Sequence, residues 1–141
     1  MVGAAPRMHG AIGGLDLHAN ESMQASATIS LIRQLRDGDA LASTVIIHIG
    51  SNGTFTASEF NEMMGLVAGV NRVIIINLKV PRPWEGPNNA MLAANIGAYA
   101  NAVLVDWYGA SVGHPEYFWD DGFHLRPAGA QSYTSLILSY I

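Results

Sequence analysis

The stretch Ser43-Thr44-Val45-Ile46-Ile47-His48-Ile49-Gly50-Ser51-Asn52-Gly53 decides the fold. β-Branched residues run almost unbroken from Thr44 to Ile49 and stop at a glycine, which reads as a strand over 43–50 followed by a turn. The run is continuous rather than alternating, so the strand is covered on both faces, as in a parallel sheet. Arg72-Val73-Ile74-Ile75-Ile76-Asn77 and Ala102-Val103-Leu104-Val105-Asp106-Trp107 read the same way. Leu15-Asp16-Leu17-His18-Ala19 is a weaker strand candidate.

Helical patterns lie between these runs. Ser22 to Arg36 carries Ile29, Ile32 and Leu35 at helical spacing and stops at Asp37-Gly38-Asp39. Thr56-Ala57-Ser58-Glu59 reads as a capping box opening a helix through Met63, Met64 and Val67. Pro87 or Asn88 opens another through Leu92, Ile96 and Tyr99, and Pro127 stands at the first position of a C-terminal helix through Tyr133, Leu136 and Leu138. Strands alternating with helices define a three-layer α/β fold. Ligands of open α/β sheets bind beyond the carboxyl ends of the strands, so the informative segments are 50–53, 79–85 and 107–124.

The chain has 141 residues, which fits one domain spanning 1–141. Half the residues are hydrophobic and 13% are charged, which excludes a disordered chain. A formal charge of −4 argues against nucleic acid as a partner. No apolar run reaches the roughly 20 residues that span a bilayer, and Met1-Val2-Gly3-Ala4-Ala5-Pro6-Arg7 does not read as a signal peptide. Without cysteine there are no disulfides, thiolate nucleophiles or Cys-type zinc sites. His9, His18, His48 and His114 lack ligand spacing, so no metal site is expected. His48, inside an apolar strand, reads as a hydrogen-bonded core residue.

Three groups of residues have chemical potential. In Asp120-Asp121-Gly122-Phe123-His124-Leu125 a carboxylate three residues before a histidine can bend back to the imidazole Nδ1–H. That fixes the tautomer whose Nε2 takes a proton from a hydroxyl. A surface Asp–His pair near a helix start gives the same spacing. Asn52, after the best strand, could aim its amide at a developing oxyanion, or serve a plain turn. Val80-Pro81-Arg82-Pro83-Trp84-Glu85 is a stiff loop that either walls a substrate groove with Arg82 and Trp84 or folds its Trp onto the domain. Trp107 and Tyr108 line the same groove or pack in the core.

Together, in this order and at these strand ends, the segments resemble the SGNH (GDSL-like) hydrolase superfamily over essentially the whole chain. They look closest to the SGNH domain fused to membrane acyltransferase-3 proteins of the peptidoglycan O-acetyltransferase type. Val45 to Gly53 is similar to the family's third block, whose Asn is an oxyanion donor, and Asp121-Gly122-Phe123-His124-Leu125 to the fifth, which supplies the Asp and His of a triad. The resemblance implies His124 and Asp121 as catalytic residues, and Gly50, Asn52, Arg82 and Trp84 around the oxyanion and substrate. It further implies no cofactor, an acyl-ester or glycan substrate, a fused membrane acyltransferase domain, and a tethered extracytoplasmic position at the bacterial cell envelope. A non-catalytic glycan- or partner-binding module built on Arg82, Trp84, Trp107 and Tyr108, and a piece of a stand-alone secreted esterase, are the rival readings.

Two departures stand out. Gly-Asp-Ser, the family's first block, occurs nowhere in the sequence, and Ser22-Met23-Gln24 stands where the second block commonly has an Arg. Relatives follow the first block with a small-residue helix start similar to Met1-Val2-Gly3-Ala4-Ala5-Pro6. The expectation is a flavodoxin-like three-layer α/β/α fold of strand order 2-1-3-4-5 that lacks its central first strand, with residues 15–19 as strand 2 and the nucleophilic Ser upstream of Met1. Ser51 and Ser22 do not sit on a strand-to-helix elbow. Such a truncated chain is expected to be inactive alone, and unstable or oligomeric through its unpaired sheet edge.

Overall fold

The computed structural model describes residues 2–141. A 3-10 turn, Val2–Ala4, leads into helix α1, Ala5–Ala11. Met1, the first residue of that expected helix start, lies outside the described residues. Then follow α2 (Ala25–Asp37), β1 (Thr44–Ile47), α3 (Ala57–Leu66), β2 (Arg72–Ile76), α4 (Glu85–Asn95), β3 (Ala102–Val105), α5 (Trp107–Ser111) and α6 (Pro127–Leu138).

The three strands form a parallel sheet of order β1-β2-β3, with Ile46 beside Ile74 and Ile74 beside Val103. Successive side chains of a strand point to opposite faces. Val73 and Ile75 therefore enter one core with Ile29 and Ile32 of α2, Phe60 and Met63 of α3 and Leu92 of α4. Ile74 and Ile76 enter the other with Met8 of α1, Trp107 of α5, and Tyr133 and Ile137 of α6. The expected three layers are present, and they explain why the strands read as unbroken apolar runs. Each isoleucine of β2 is fully buried, worth roughly 1.5–3 kcal/mol in transfer free energy.

The helix starts follow local chemistry. Thr56 Oγ1 accepts from the Glu59 amide at 3.2 Å, while the Glu59 carboxylate accepts from the Thr56 amide at 2.7 Å, completing the expected capping box. Pro127 opens α6 as expected. α4 begins at Glu85, ahead of the expected Pro87 or Asn88, because a proline is tolerated within a first turn that has no amide partner. α2 begins at Ala25 rather than Ser22, which holds a left-handed conformation at φ 57°. The strands are shorter than their apolar runs, since parallel pairing in the sheet ends at Ile47, Ile76 and Val105.

One expected element does not form. Residues 15–19 are not a strand; they run irregularly with no sheet neighbour. A short segment becomes a strand only by pairing, and the edge strand β1 lies across a cavity from it. That cavity, of about 840 Å³, extends along the free edge of β1. Helix α1 borders it with Met8, the residue after that helix with Ile12, α2 with Leu31, Ile32 and Leu35, and residues 15–19 also line it.

Candidate functional site

The carboxyl ends of the strands carry a connected set of hydrogen bonds. At the end of β1 the chain turns at Gly50, with φ 98°. A side chain there would be strained and would meet the Phe55 ring at 2.8 Å. Asn88, buried in the first turns of α4, holds this turn. Its Nδ2 donates to the carbonyls of Gly50 at 3.1 Å and Gly53 at 2.9 Å, and its Oδ1 accepts from the Phe55 amide at 3.3 Å. At the ends of β2 and β3, Asn77 Nδ2 donates to Asp106 Oδ1 at 2.7 Å, and Asn77 Oδ1 accepts from the Tyr108 amide at 2.7 Å.

His124 stands on the loop before α6. Its Nδ1 lies 2.7 Å from Asp121 Oδ2, while Asp121 Oδ1 accepts from the amides of Phe123 and His124, both at 2.9 Å. The loop closes at Gly122, φ 66°, and is tied down where the Trp119 amide donates to the His124 carbonyl at 2.8 Å. An ionised carboxylate only accepts, so Nδ1 carries the proton and Nε2 is left with its lone pair. The His124 hydrogen bond, followed by the two backbone amides, pulls the Asp121 carboxyl down to about 2. Both side chains are about half exposed, His124 at 63% and Asp121 at 49%.

Asn52 is part-buried. Its Nδ2 donates to the Met23 carbonyl at 3.2 Å, and its own carbonyl accepts from Gln24 Nε2 at 3.0 Å. An amide nitrogen has two hydrogens, so one remains for another acceptor. Gly50, Asn52 and His124 all line the large cavity beside β1. A smaller recess of about 180 Å³ adjoins them, lined by Asn52, Arg82, Trp84, Val80, Pro81, Ser51 and Phe123. Trp84 Nε1 donates to the Ser51 carbonyl at 3.4 Å, which seats the indole against the β1 turn. The fold thus places Gly50, Asn52 and His124, the last bonded to Asp121, on one cavity, and Asn52, Arg82 and Trp84 around the recess. Trp107, one of two positions left open between groove and core, is 2% exposed and packs edge-on against Tyr133. Tyr108 is exposed, with the Lys79 ammonium 5.9 Å from its ring centre.

Two contributors were not legible as site residues. Phe123 lines both the cavity and the recess, yet in the sequence it is only a spacer between Asp121 and His124. Asn88 follows the stiff loop without any pattern that points it at Gly50. Among the described residues no cluster of three or more His, Asp or Glu is placed to hold a metal ion, and no helix is long and apolar enough to cross a membrane.

The parallel three-layer α/β domain with an Asp–His pair beyond its strand ends has the fold and the pair expected from the SGNH resemblance. No protein-family model matches the chain. Its homologues are peptidoglycan O-acetyltransferases. It is 38% identical to the O-acetyltransferase OatA of Staphylococcus aureus over 112 residues, 79% of this chain. It is 36% identical to the peptidoglycan O-acetyltransferase OatA of Listeria monocytogenes over 117 residues, 76% of this chain. The chain spans 18% of the length of each of these relatives. Among solved structures, its fold matches the C-terminal catalytic domain of Streptococcus pneumoniae peptidoglycan O-acetyltransferase A, solved with a methylsulfonyl adduct. The TM-score is 0.85 at 16% identity, covering 98% of this chain and 85% of that one.

Proposed function

We propose that this domain transfers or hydrolyses acyl esters, with a cell-wall glycan as substrate. The observation that carries the proposal is the Asp121–His124 pair, whose His124 lines the same cavity as Gly50 and Asn52. His124 is the general base, Asp121 holds its tautomer, and the spare Asn52 hydrogen with nearby backbone amides receives the oxyanion. Arg82 and Trp84 form the wall that meets the sugar.

The nucleophile is a serine on a segment upstream of Met1, so 1–141 is one N-terminally truncated domain. Its Oγ attacks the acyl carbonyl and gives its proton to His124 Nε2. The tetrahedral oxyanion collapses, and the departing alkoxide leaves with that proton. A second hydroxyl, from water or a sugar, then attacks the acyl-serine, passes its own proton to His124, and the serine leaves with it. These steps use protein side chains alone and call on no cofactor. The domain works outside the bacterial membrane, tethered by a fused membrane acyltransferase domain. The similarity to OatA proteins over some four-fifths of the chain supports the substrate class.

Hydrolysis of p-nitrophenyl acetate tests this reading. The chain extended upstream by its natural sequence is expected to be active and to lose activity on His124→Ala, while residues 1–141 alone are inactive. Equal activity of the two chains refutes an upstream nucleophile. Glycan binding that survives His124→Ala, without esterase activity in the extended chain, indicates a binding module instead.

A further inference from the structure

The loop that carries His124 also carries an exposed tryptophan, Trp119, that no step above uses. Phe118 and Leu125 form an antiparallel bridge there. The Trp119 amide donates to the His124 carbonyl on one side of it, and the Arg126 amide to the Tyr117 carbonyl on the other, both at 2.8 Å. Residues 119 and 124 therefore stand opposite each other, one step beyond the bridge. Successive positions of an extended chain point to opposite faces. Phe118 and Leu125 turn into the core with Trp107, so Trp119 and His124 turn outward together, and both are exposed. Opposed side chains of an antiparallel pair stand about 5 Å apart at Cβ, which sets the indole beside the base.

The ring is held in place. The Trp119 carbonyl accepts from the Gly122 amide at 2.8 Å. The Arg126 guanidinium lies over the indole, 4.9 Å from the ring centre, and Asp120 Oδ1 accepts from Arg126 Nη2 at 3.1 Å. One face of the indole is thus covered by a cation, while an exposure of 53% leaves the other open to solvent. Trp119 lines neither the large cavity nor the recess of Arg82 and Trp84. A flat apolar face with polar groups along its edge suits a pyranose ring. The C–H bonds on the face of the sugar lie on the indole. Its hydroxyls meet the fully exposed Asp120 carboxylate, an acceptor, and the Arg126 guanidinium, a donor.

We propose that Trp119 is a sugar-stacking subsite: one ring of the glycan lies on its open face while an ester on the same glycan chain reaches His124. The ring is oriented before the glycan arrives, so little freedom is lost on binding. This inference rests on the glycan reading of the site and adds a contact outside the recess.

The test titrates the extended chain with a soluble β-1,4-linked N-acetylglucosamine oligomer and follows the indole Nε1–H resonances. That of Trp119, identified by its loss in Trp119→Phe, is expected to shift and saturate. Trp119→Ala should weaken the Kd about tenfold, as usual for a truncated aromatic anchor, and Trp119→Phe, which keeps a flat ring, should weaken it less. With an O-acetylated form of the oligomer as substrate, Trp119→Ala should raise KM about tenfold and change kcat by less than about twofold. The ratio of its kcat/KM to that for p-nitrophenyl acetate then falls about tenfold. Should Trp119→Ala fail to fold, the Trp119 resonance of the unmodified chain decides alone. A Trp119 resonance that does not move, or Trp119→Ala binding as tightly as the unmodified chain, overturns the proposal. So does an equal fall in kcat/KM on both substrates, since the residue would then only hold the His124 loop. The titration needs no nucleophile. Absent esterase activity would refute the acyl-transfer reading and leave the subsite standing, whereas an active chain with an unmoved Trp119 would refute the subsite alone.

Discussion

Asp121 and His124 are three residues apart, and their joint behaviour is set by one carboxylate with three donors. Carboxyl NMR of Asp121 should give a midpoint near 2, against an ordinary value of 3.8, and His124→Ala should move it upward, since the His124 bond is the largest cause. The folded value is depressed, so the pair's contribution is fully present above pH 3.8 and lost as pH falls through about 2. In the extended chain, loss of activity above pH 4 therefore does not come from Asp121. Removing the base by His124→Ala should lower kcat/KM by about 10²–10⁴-fold. This pair was legible because it is local. The tie from His48 to Tyr133, 85 residues away, was not: hydrogen bonding in the core was foreseeable from an apolar strand, but the partner was not. Trp107 shows the same limit, since a tryptophan after a strand suits a groove or a core equally until Tyr133 packs against it.

Among the elements, those with their own start signals were readable. The Thr56–Glu59 box and Pro127 mark α3 and α6 regardless of what packs on them. Thr56→Ala should cost about 1 kcal/mol in chemical denaturation. The Gly50 turn depends instead on Asn88, 38 residues away. Asn88→Ala strands two carbonyls and an amide in a buried setting, and should destabilise by about 1–3 kcal/mol or more. It should also loosen Asn52, so activity of the extended chain falls with it, whereas Thr56→Ala leaves activity intact. Residues 15–19 failed as a strand because strand formation is a property of pairs. Their apolar content was legible; their lack of a neighbour was not.

For the molecule as a whole, the length of one domain conceals an opening in one. The sheet has its apolar faces covered by helices on both sides, yet one edge of β1 meets a cavity where close packing is the rule. A strand upstream of β1, as expected from the sequence, would account for that edge and for the irregular course of residues 15–19. The extended chain should melt cooperatively and at higher temperature than residues 1–141, and light scattering should show the shorter chain self-associating through its open edge. Intact-mass analysis after treatment with methanesulfonyl fluoride, which sulfonylates activated serines, tests the central claim most directly. The account predicts one adduct on an upstream serine of the extended chain, none after His124→Ala, and none on residues 1–141. Labelling of residues 1–141 to the same extent, or a folded extended chain that takes no label, would contradict it.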